Sequence, residues 1–289
     1  MGRYVIAGIA GCIGTWVAKV LKDAGHEVLG VDLAGELPNA QLVGVQDVPV
    51  EPLDVTDSAR FAAYLDEAAP DGIVHLVSML MPSCKANPEA CVDINVRSFM
   101  TVLESARKLG ASVTYASSAW VQTPPPDDRL VTEDYGLEPQ SLYGVFKLAN
   151  EGQARMYAKD FEVKVNGLRP YIVYGPGRVG GLTADINLAL LAAAEGKPYE
   201  IGFGGSVALH HALDVATTFA RLVTDPVASG QVYNVRGTVA SMGEIVATID
   251  KVTGTSGLVS YRENALPIAA NLSDAALQRD YGPVKFLSL

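Results

Sequence analysis

A tyrosine and a lysine stand four positions apart in the stretch "LYGVFKLANE", residues 142–151, where Tyr143 precedes Lys147. Side chains at this spacing lie on the same face of a helix. Free tyrosine has a pKa of about 10, so it serves as a base near neutral pH only if a neighbouring cation stabilises its phenolate. A lysine one helical turn away can supply that charge, and the pair therefore suits proton abstraction by a general base.

Spacing alone does not separate a catalytic pair from two side chains that share a face by chance. The same spacing occurs at Tyr281 and Lys285 in "YGPVK". There a glycine and a proline intervene, and proline does not fit inside a helix. Only Tyr143 and Lys147 are therefore expected to share a helical face, and their function depends on what else the chain places beside them.

Three glycines, Gly8, Gly11 and Gly14, occur in "AGIAGCIG" between an apolar strand-like run and a helix-like run. Glycines at such a turn allow backbone N–H groups to approach a pyrophosphate closely, and the positive end of the following helix favours its negative charge. The spacing is not the strict GxGxxG of dinucleotide-binding folds, and an ordinary strand-to-helix turn is the alternative. We expect this loop, with Cys12 and Ile13, to hold the phosphates of a dinucleotide.

Two acidic residues follow the next strands. Asp32 ends the apolar run "VLGVD", where a carboxylate can accept hydrogen bonds from the adenosine ribose hydroxyls of NAD and repel the additional phosphate of NADP. The alternative is that Asp32 simply begins a loop. Asp54 in "PLDVTD" follows the third strand, where it can either meet the adenine amino group or cap a helix together with Thr56.

The first 170 residues alternate short apolar runs, rich in β-branched residues, with helix-like runs. This pattern is typical of a parallel sheet covered by helices on both faces. The predicted strands are "RYVIAGI", "HEVLGVD", "GIVHLVS", "SVTYASS" and "KVNGLRP", and the predicted helices are "IGTWVAKVLKDAG", "SARFAAYLDEAA", one from Pro88 to Leu109 and one around Tyr143. We therefore predict a doubly wound α/β fold of the Rossmann type, with residues 1–170 as the NAD-binding domain.

Beyond residue 170 the alternation is lost. "YIVYGPGRVGG" has the composition of a loop, residues 182–195 and "SMGEIVATIDKVTG" have that of helices, and "VYNVRG" that of a strand. This portion is too small for an independent α/β domain, and no linker precedes it. We expect residues 171–289 to form a small substrate-binding portion, interleaved with the last sheet elements, at the carboxyl edge of the sheet, where open α/β sheets bind their ligands.

The composition of the 289-residue chain limits the kinds of molecule that it is expected to bind. With a formal charge of −10 and no cluster of Lys and Arg, it is not expected to bind nucleic acid or an anionic membrane. Its three cysteines, Cys12, Cys84 and Cys91, form no CxxC and leave an odd one over, so neither a disulfide framework nor a zinc site is indicated, and a reducing cytoplasm is the expected setting. The longest apolar helical run, "LALLAAAEG", is too short to span a bilayer, and the N-terminal run with its regular glycines does not fit a signal peptide.

The motifs occur in a fixed order along the chain: "AGIAGCIG", Asp32, "LDVTD", "IVHLVS", "DINVRSF", "TYASSAW", "YGVFK" and "GLRPYIVYGPG". In this order and spacing the chain resembles the extended short-chain dehydrogenase/reductases, the NAD-dependent epimerase/dehydratase family, over nearly its whole length. The resemblance implies NAD as cofactor and hydride transfer at a secondary hydroxyl. It also implies that Tyr143 is the base and that Lys147 both stabilises the phenolate and holds the nicotinamide ribose.

The resemblance assigns further residues to the site. Ser118 in "YASSAW" matches the family's catalytic serine, which hydrogen-bonds the reacting oxygen; Ser117 is the neighbouring candidate, but strand alternation turns only one of them toward the cofactor, and we favour Ser118. Asn95 in "DINVRS" matches an asparagine that positions the active-site backbone. The residues expected at the cofactor are Val55, Leu76, Val77, Ser78, Asn95, Pro170, Ile172 and Val173, and those expected at the substrate are Ser78, Met79, Ser118, Tyr143, Tyr171, Arg178 and His210.

Two departures from the family pattern bear on the substrate. Members that act on nucleotide-linked sugars usually carry an asparagine where this chain has Ile172 and a diphosphate-binding arginine where it has Val207. We therefore expect a small, polar, carbohydrate-like substrate without a nucleotide, and either a dehydrogenase or an epimerase or isomerase. A nucleotide-sugar enzyme and a non-catalytic protein that senses NAD are the alternatives. Polar contacts to the substrate are expected from Arg178 and Asp185.

The histidines are expected to be mainly structural. His210 and His211 are adjacent, so on a strand they point to opposite faces and cannot chelate one metal ion. We expect no metal site. His211 is expected to pack against or cap the helix that begins at "DVA", and His75 to be a satisfied core residue.

Family members commonly pair through the two helices that here contain Asn95 and Tyr143. The resemblance thus implies a homodimer held by these helices. Family members typically continue into one more helix after "KFLSL", where this sequence stops, so we expect either that the helix is absent or that the sequence is truncated.

Overall fold

The computed structural model of the protein describes residues 1–284 and 286–287. Lys285, which shares the tyrosine–lysine spacing with Tyr281, lies outside the described residues. The strands are β1 (Arg3–Ala7), β2 (Glu27–Asp32), β3 (Val50–Pro52), β4 (Gly72–His75), β5 (Ser112–Ala116), β6 (Val165–Arg169), β7 (Ile172–Tyr174), β8 (Tyr199–Ile201), β9 (Ser206–His211), β10 (Val232–Asn234), β11 (Thr238–Ser241) and β12 (Val259–Tyr261). The helices are α1 (Cys12–Asp23), α2 (Ala40–Val43), α3 (Ser58–Ala68), α4 (Met81–Ala86), α5 (Pro88–Val92), α6 (Ser98–Leu109), α7 (Leu142–Phe161), α8 (Asp185–Ala194), α9 (Ala212–Thr224), α10 (Met242–Thr253) and α11 (Ala275–Tyr281).

The large sheet contains seven parallel strands in the order β3-β2-β1-β4-β5-β6-β10. Its strand β1 pairs with β2 on one side and β4 on the other, so that Val5 lies opposite Leu29 and Ile73. The chain first builds outward from β1 to β3 and then crosses to β4, which places the topological switch point between β1 and β4. The doubly wound α/β fold predicted from the alternation of strands and helices is confirmed.

Helices cover both faces of this sheet with apolar side chains. On one face α1 and α9 pack together and bury Val17, Leu21 and Phe219. On the other face α3 and α6 bury Phe61 and Phe99. Because both faces are covered, β4 is buried along its whole length. Within the described residues, no helix combines the length and the hydrophobicity that crossing a bilayer requires.

Two small sheets and a further apolar core lie in the C-terminal portion. Strands β7, β9 and β11 form one sheet, and β8 and β12 form the other. They pack with α8 and α10 around a core that includes Phe203, Met242 and Ile249. Other parts of this portion return to the large sheet, where β10 pairs with β6 and α9 packs on α1. Residues beyond 170 thus contribute both to the large sheet and to a separate core.

The predicted loop "YIVYGPGRVGG" contains a strand. Residues Ile172–Tyr174 form β7, which pairs in parallel with β9 so that Ile172 lies opposite Leu209. The loop prediction is wrong here because a strand of three residues is too short to show alternation and its partner is distant in sequence. The short strands β8, β11 and β12 leave no clear signal in the sequence for the same reason.

The helix predicted from Pro88 to Leu109 is present as α5, a π-helical turn at Asp93–Arg97 and α6, which follow one another without a break. Cys84 in α4 forms a disulfide bond with Cys91 in α5, and their Cα atoms are 5.1 Å apart. The expectation that the cysteines form no disulfide is therefore wrong for this pair. The turn between α4 and α5 brings the two residues together, and spacing along the sequence does not reveal such a turn. Cys12 is buried and free.

Candidate active site

Two adjoining cavities lie at the carboxyl ends of the central strands, next to the topological switch point. The first, of about 270 Å³, is lined by the glycine loop and by Ser118, Tyr143 and Lys147; we call it the tyrosine cavity. The second, of about 650 Å³, reaches Asp32 and Asp54, and we call it the aspartate cavity. Both are lined by Gly8, Gly11, Leu76 and Ser78. An elongated ligand can therefore extend from one cavity into the other.

The glycine loop connects β1 to α1 and has no room for side chains at two positions. Gly8 has a φ of +88°, and a Cβ atom there would lie 2.9 Å from a neighbouring backbone nitrogen. A Cβ atom on Gly14 would collide with the carbonyl oxygen of Gly8. Gly11 is the N-cap residue of α1, so the first turn of that helix, with Cys12 and Ile13, borders the tyrosine cavity. The loop thus presents bare backbone at the positive end of a helix, as phosphate binding requires.

Asp32 ends β2 beside the glycine loop. Its Oδ2 atom accepts a hydrogen bond from the N–H of Ala10 at 3.0 Å, and its Oδ1 atom accepts one from the N–H of Leu33 at 2.9 Å. These two bonds fix the carboxylate in the wall of the aspartate cavity, while its oxygens keep lone pairs for further donors. Asp32 therefore does more than begin a loop, because it ties the end of β2 to the glycine loop.

Asp54 lines the same cavity and also stabilises a turn. Its Oδ1 atom accepts hydrogen bonds from the N–H and the hydroxyl of Thr56, at 2.9 and 2.8 Å. The N-cap residue of α3 is Asp57, which accepts a hydrogen bond from the N–H of Arg60 at 3.0 Å. The helix-capping alternative for Asp54 is therefore wrong, since the next aspartate along the chain has that role.

Tyr143 and Lys147 lie in the first turns of α7 and share one of its faces, as their spacing predicts. Ser141 is the N-cap residue of this helix and accepts a hydrogen bond from the N–H of Gly144 at 3.1 Å. Lys147 is 2 % exposed, and its Nζ atom lies 5.7 Å from the centroid of the Tyr143 ring. Nζ donates a hydrogen bond to the carbonyl oxygen of Ala116 at 2.8 Å. The pair is therefore fixed against the end of β5.

Burial dominates the electrostatics of the tyrosine cavity. It raises the pKa of Tyr143, while hydrogen bonds with Ser118 and Ser78 and the positive charge of Arg178 lower it. Burial also lowers the pKa of Lys147 to about 8. The charge that stabilises the phenolate was expected from Lys147, whereas the groups that favour the phenolate in the structure are Ser118, Ser78 and Arg178. With protein groups alone, Tyr143 is a neutral phenol at neutral pH.

The two serines that follow β5 separate as strand alternation predicts. Ser118 lowers the pKa of Tyr143 in α7, and its Oγ atom accepts a hydrogen bond from the N–H of Trp120 at 3.3 Å. Ser117 donates instead to Oε1 of Glu151 at 2.5 Å. Glu151 is held in turn by Arg169, whose Nε and Nη2 atoms lie 2.8 and 2.7 Å from its two oxygens. Ser118 is therefore the serine placed for chemistry, and Ser117 anchors the strand end to a buried ion pair.

Most of the predicted site residues line the two cavities. Those around the tyrosine cavity are Gly8, Gly11, Cys12, Ile13, Gly14, Leu76, Ser78, Ser118, Tyr143, Lys147, Pro170, Tyr171, Val173 and Arg178. Those around the aspartate cavity are Gly8, Gly11, Asp32, Asp54, Val55, Leu76, Val77 and Ser78. The structure thus brings together residues from loops that are widely separated in sequence.

Ile172 and His210 were predicted in the site but line neither cavity. Alternation along β7 turns Val173 toward the tyrosine cavity and buries Ile172 in the C-terminal core. His210 is 1 % exposed, and its Nδ1 atom accepts a hydrogen bond from the N–H of Tyr171 at 3.2 Å. The cofactor contact predicted for Ile172 and the substrate contact predicted for His210 are therefore wrong. His210 supports the cavity wall from behind.

Asn95 and Met79 also lie behind the cavity wall. The Oδ1 atom of Asn95 accepts a hydrogen bond from the N–H of Met79 at 2.7 Å, and Nδ2 donates to the carbonyl oxygen of the same residue at 3.0 Å. Neither side chain lines a cavity, so the cofactor contact of Asn95 and the substrate contact of Met79 are corrected to a positioning role. By fixing Met79, Asn95 orients the segment that follows, of which Leu80, Met81 and Pro82 line the tyrosine cavity.

Arg178 lines the tyrosine cavity in the loop that follows β7. Its Nη2 atom donates a hydrogen bond to Oγ1 of Thr183 at 3.1 Å, and Thr183 lines the cavity as well. Asp185 does not reach it, because its carboxylate accepts hydrogen bonds from the hydroxyl of Tyr199 at 2.9 Å and the N–H of Gly202 at 2.8 Å. The substrate contact expected from Asp185 is therefore wrong. Thr183 was not predicted from the sequence, although a polar residue two positions after the paired glycines of "GRVGGLTAD" is a usable signal.

The other histidines near the site are structural. His211 is the N-cap residue of α9 and accepts a hydrogen bond from the N–H of Leu213 at 3.2 Å, which confirms the predicted capping. His75 is buried beside Ser98, with 3.2 Å between Nε2 and Oγ, but its Nδ1 atom is buried without a partner among the described residues, so the expected satisfied core histidine is satisfied at one nitrogen only. Burial lowers its pKa to about 3. In the part of the chain that the structure describes, no group of three or more His, Cys, Asp or Glu side chains is placed to hold a metal ion.

Comparison with known proteins identifies a family. The model of the NAD dependent epimerase/dehydratase family matches residues 4–235. Among curated proteins, the chain is similar to protein CapI of Staphylococcus aureus, with 28 % identity over 183 residues that cover 60 % of this chain and 55 % of CapI. It is also similar to an uncharacterized 37.6 kDa protein of Escherichia coli O111:H-, with 30 % identity over 215 residues that cover 69 % of this chain and 62 % of that protein. The chain thus spans less than two thirds of the length of these relatives.

Solved structures share the fold over nearly the whole chain. L-threonine 3-dehydrogenase from Trypanosoma brucei has a TM-score of 0.89 and 24 % identity, covering 99 % of this chain and 93 % of that one. UDP-glucose 4-epimerase from Thermus thermophilus, solved as a complex with NAD, has a TM-score of 0.86 and 21 % identity, covering 98 % and 94 %. At these identities the likeness is one of fold.

Proposed function

The chain belongs to the NAD dependent epimerase/dehydratase family, and on this basis we propose that it is an oxidoreductase that uses NAD to remove hydride from a secondary hydroxyl of a small polar substrate. The observation that carries the proposal is the placement of Ser118, Tyr143 and Lys147 in the cavity that the glycine loop also lines. Ser118 and Tyr143 line the same cavity, and Ser118 lowers the pKa of Tyr143, so their hydroxyls form one polar site for an alcohol oxygen.

The residues of the two cavities fit NAD. Gly8 and Gly14 leave no side chain over the backbone at two positions of the glycine loop, and the N–H groups in the first turn of α1 can therefore reach phosphate oxygens. Asp32 is oriented to accept hydrogen bonds from ribose hydroxyls, and its charge disfavours the additional phosphate of NADP. Asp54 would lie at the adenine end, and Lys147 would hold the nicotinamide ribose. When bound, oxidised NAD supplies the hydride acceptor and a further positive charge.

In the proposed reaction, side chains of the protein accept the proton and position the substrate hydroxyl. In its phenolate form Tyr143 takes the proton of the substrate hydroxyl and becomes a phenol, while Ser118 donates a hydrogen bond to the same oxygen and so fixes its position. Because burial raises the pKa of Tyr143, each group that favours the phenolate assists the reaction, and Ser78, Ser118 and Arg178 are those groups in the protein.

Two buried positions disfavour a nucleotide-linked substrate. Ile172 and Val207 both lie in the C-terminal core, fully shielded from solvent, and offer no polar atom to a diphosphate. A cavity of about 270 Å³ also favours a compact substrate. We therefore propose a small carbohydrate-like molecule. The hydride either leaves with NADH, as in a dehydrogenase, or returns to the same substrate, as in an epimerase or isomerase.

We also propose that the protein forms a homodimer through the helices that contain Asn95 and Tyr143. On α7, Val145 and Met156 are 44 % and 40 % exposed, and on α6, Met100 is 37 % exposed. The helical period places Val145 and Met156 on one face of α7. Contiguous apolar surface of this kind is typical of an interface between proteins.

Exhaustive dialysis followed by native mass spectrometry tests the proposed function without a known substrate. Nearly one NAD per chain would support a recycled cofactor and hence an epimerase or isomerase. A protein that binds added NAD reversibly would support a dehydrogenase, and sugars, polyols and sugar acids would then be screened for NADH production. A protein that binds NAD in neither assay contradicts the proposal.

A further inference from the structure

Arg178 is a cation in the wall of the tyrosine cavity that has no carboxylate partner among the described residues. Its Nε atom is buried without a hydrogen-bond acceptor. Within those residues, its only side-chain hydrogen bond runs from Nη2 to the hydroxyl of Thr183, at 3.1 Å. By contrast, the buried Arg169 behind the site is matched by Glu151, with 2.7 Å between Nη2 and Oε2. The charge of Arg178 is therefore not neutralised within the described part of the chain.

The loop that carries Arg178 is held in place by side chains from two other elements. Asn187 in α8 is buried; its Oδ1 atom accepts a hydrogen bond from the N–H of Gly175 at 3.1 Å, and its Nδ2 atom donates to the carbonyl oxygen of Arg178 at 2.9 Å. Trp16 in α1 donates from Nε1 to the carbonyl oxygen of Pro176 at 3.0 Å. Both ends of the turn 175–178 are thus fixed, and the guanidinium group is presented in a defined position.

The ionised side chains that line the tyrosine cavity are positive. Among the described residues they are Lys147 and Arg178, and no aspartate or glutamate lines this cavity. The formal charge of the chain is −10, so the charge of the side chains that line the cavity is opposite in sign to the net charge of the protein. Arg178 is half-buried in the cavity wall, so its charge is available to an anionic ligand that enters the cavity.

We propose that Arg178 and Thr183 bind a carboxylate of the substrate, so that the substrate is a small hydroxy acid rather than a neutral alcohol. This inference rests on the proposed function, because it concerns the same cavity. A planar guanidinium group matches the two oxygens of a carboxylate. The Thr183 hydroxyl accepts its hydrogen bond from Arg178 and keeps its own hydrogen to donate to the same anion.

The size of the cavity limits the separation of the carboxylate from the reacting hydroxyl. Ser118, Tyr143, Arg178 and Thr183 all line one cavity of about 270 Å³. The positive charge of Arg178 also lies close enough to the Tyr143 hydroxyl to lower its pKa. A molecule that places its hydroxyl at Tyr143 and its carboxylate at Arg178 therefore has only a few carbon atoms between the two groups.

Matched pairs of ligands that differ in a carboxylate test the proposal. The protein loaded with NAD is titrated by calorimetry with D-glycerate and glycerol, and with D-glucuronate and D-glucose. The variants are Arg178→Met, Arg178→Lys and Thr183→Val, and the control is Arg262→Met, which removes a surface arginine that pairs with Glu200. The affinity for NAD is measured first for every protein.

The wild type and the control are expected to bind at least one acid about tenfold more tightly than its neutral partner. Arg178→Met should weaken acid binding about 30-fold, because a charged partner is lost. Thr183→Val should weaken it about fivefold through the loss of one hydrogen bond. Arg178→Lys should lie between wild type and Arg178→Met, since an ammonium group keeps the charge but not the planar geometry.

Two results overturn the inference. In the first, the acids bind no better than their neutral partners, or do not bind. In the second, Arg178→Met weakens NAD binding and leaves the acid preference intact, which assigns the guanidinium to the diphosphate of the cofactor; Arg178 does lie near Cys12 in the first turn of α1. NAD binding by the wild type would leave the oxidoreductase proposal standing in both cases, whereas a wild type that does not bind NAD contradicts both proposals.

Discussion

The Nζ atom of Lys147 donates its hydrogen bond to the carbonyl oxygen of Ala116 at 2.8 Å and not to the hydroxyl of Tyr143. The ammonium group lies 5.7 Å from the centre of the tyrosine ring. Burial lowers the pKa of Lys147 to about 8, so the lysine is still charged at neutral pH. In the proposed reaction the two residues therefore have separable tasks, in which Tyr143 would move a proton and Lys147 provides a fixed charge at the end of β5.

Tyr143→Phe removes the proton acceptor and should lower kcat by about 10²–10⁴-fold, the usual contribution of a general base. The affinity for NAD should stay nearly unchanged, because the ring remains in place. Steady-state kinetics and calorimetry measure the two quantities. Tyr64→Phe, in α3 and outside both cavities, is the matched control. Unchanged turnover in Tyr143→Phe would favour the alternative of a non-catalytic protein that senses NAD.

Asp32→Ser removes a carboxylate that is oriented by Ala10 and Leu33. We expect the affinity for NAD to fall about tenfold, because charge-assisted hydrogen bonds to the ribose are lost. The affinity for NADP should rise relative to that for NAD, since the repulsive charge is gone. Calorimetric titration with both cofactors measures the ratio. Asp23→Ser, on the exposed side of α1, should leave the ratio unchanged; an unchanged ratio in Asp32→Ser would reject the role of Asp32.

The buried His210 should make the protein sensitive to acid. Burial lowers its pKa to about 4, whereas a histidine in an unfolded chain has a pKa of about 6.5. As the pH falls below the higher value, the unfolded chain binds a proton that the folded protein does not, so the free energy of unfolding decreases. His210→Asn keeps an acceptor for the N–H of Tyr171. Between pH 7 and pH 5, the free energy of unfolding of this variant should therefore fall by about 2 kcal/mol less than that of the wild type.

Urea unfolding of the wild type and His210→Asn at both pH values measures this difference. Only the change between the two pH values matters, because the substitution also alters packing at pH 7. Equal losses of stability in the two proteins would show that His210 is not held neutral in the folded state.

The proposed homodimer depends on the exposed apolar face of α7. Met156→Glu places a charge there and should convert a dimer into a monomer, because an unpaired charge is unfavourable in an interface. Size-exclusion chromatography with light scattering measures the mass. Leu191→Glu, at an exposed position of α8 that lies outside this face, is the matched control. A monomeric wild type would reject the dimer.

Local patterns in the sequence predict much of the site. The alternation of apolar runs predicts the strands of the large sheet, and parallel strands end at one edge, so Asp32 and Ser118 are expected at the same site. Alternation by one residue also distinguishes Ser118 from Ser117. These predictions succeed because they depend on neighbours along the chain and on the handedness of the connections.

Other features depend on contacts between distant segments and leave no local signal. Ile172 and His210 lie on paired short strands, and only that pairing shows that both side chains are buried. The pKa of Tyr143 depends on its depth in the cavity and on the position of Arg178, which a folded loop supplies. The bond between Cys84 and Cys91 depends on a turn between two short helices.

Helix α9 and strand β10 lie after residue 170 but pack on or pair with the large sheet, and this limits how the substrate-binding portion can be exchanged between related proteins. A new substrate portion cannot be exchanged as one block after residue 170, because the same block carries α9, which covers α1, and β10, which protects the edge of β6. A recombinant that lost both would expose Val17 and Leu21 and leave an unpaired strand edge, which invites aggregation. Point substitutions and loop exchanges avoid this cost, and the loop from Gly175 to Thr183 is well placed for them because Arg178 and Thr183 line the tyrosine cavity.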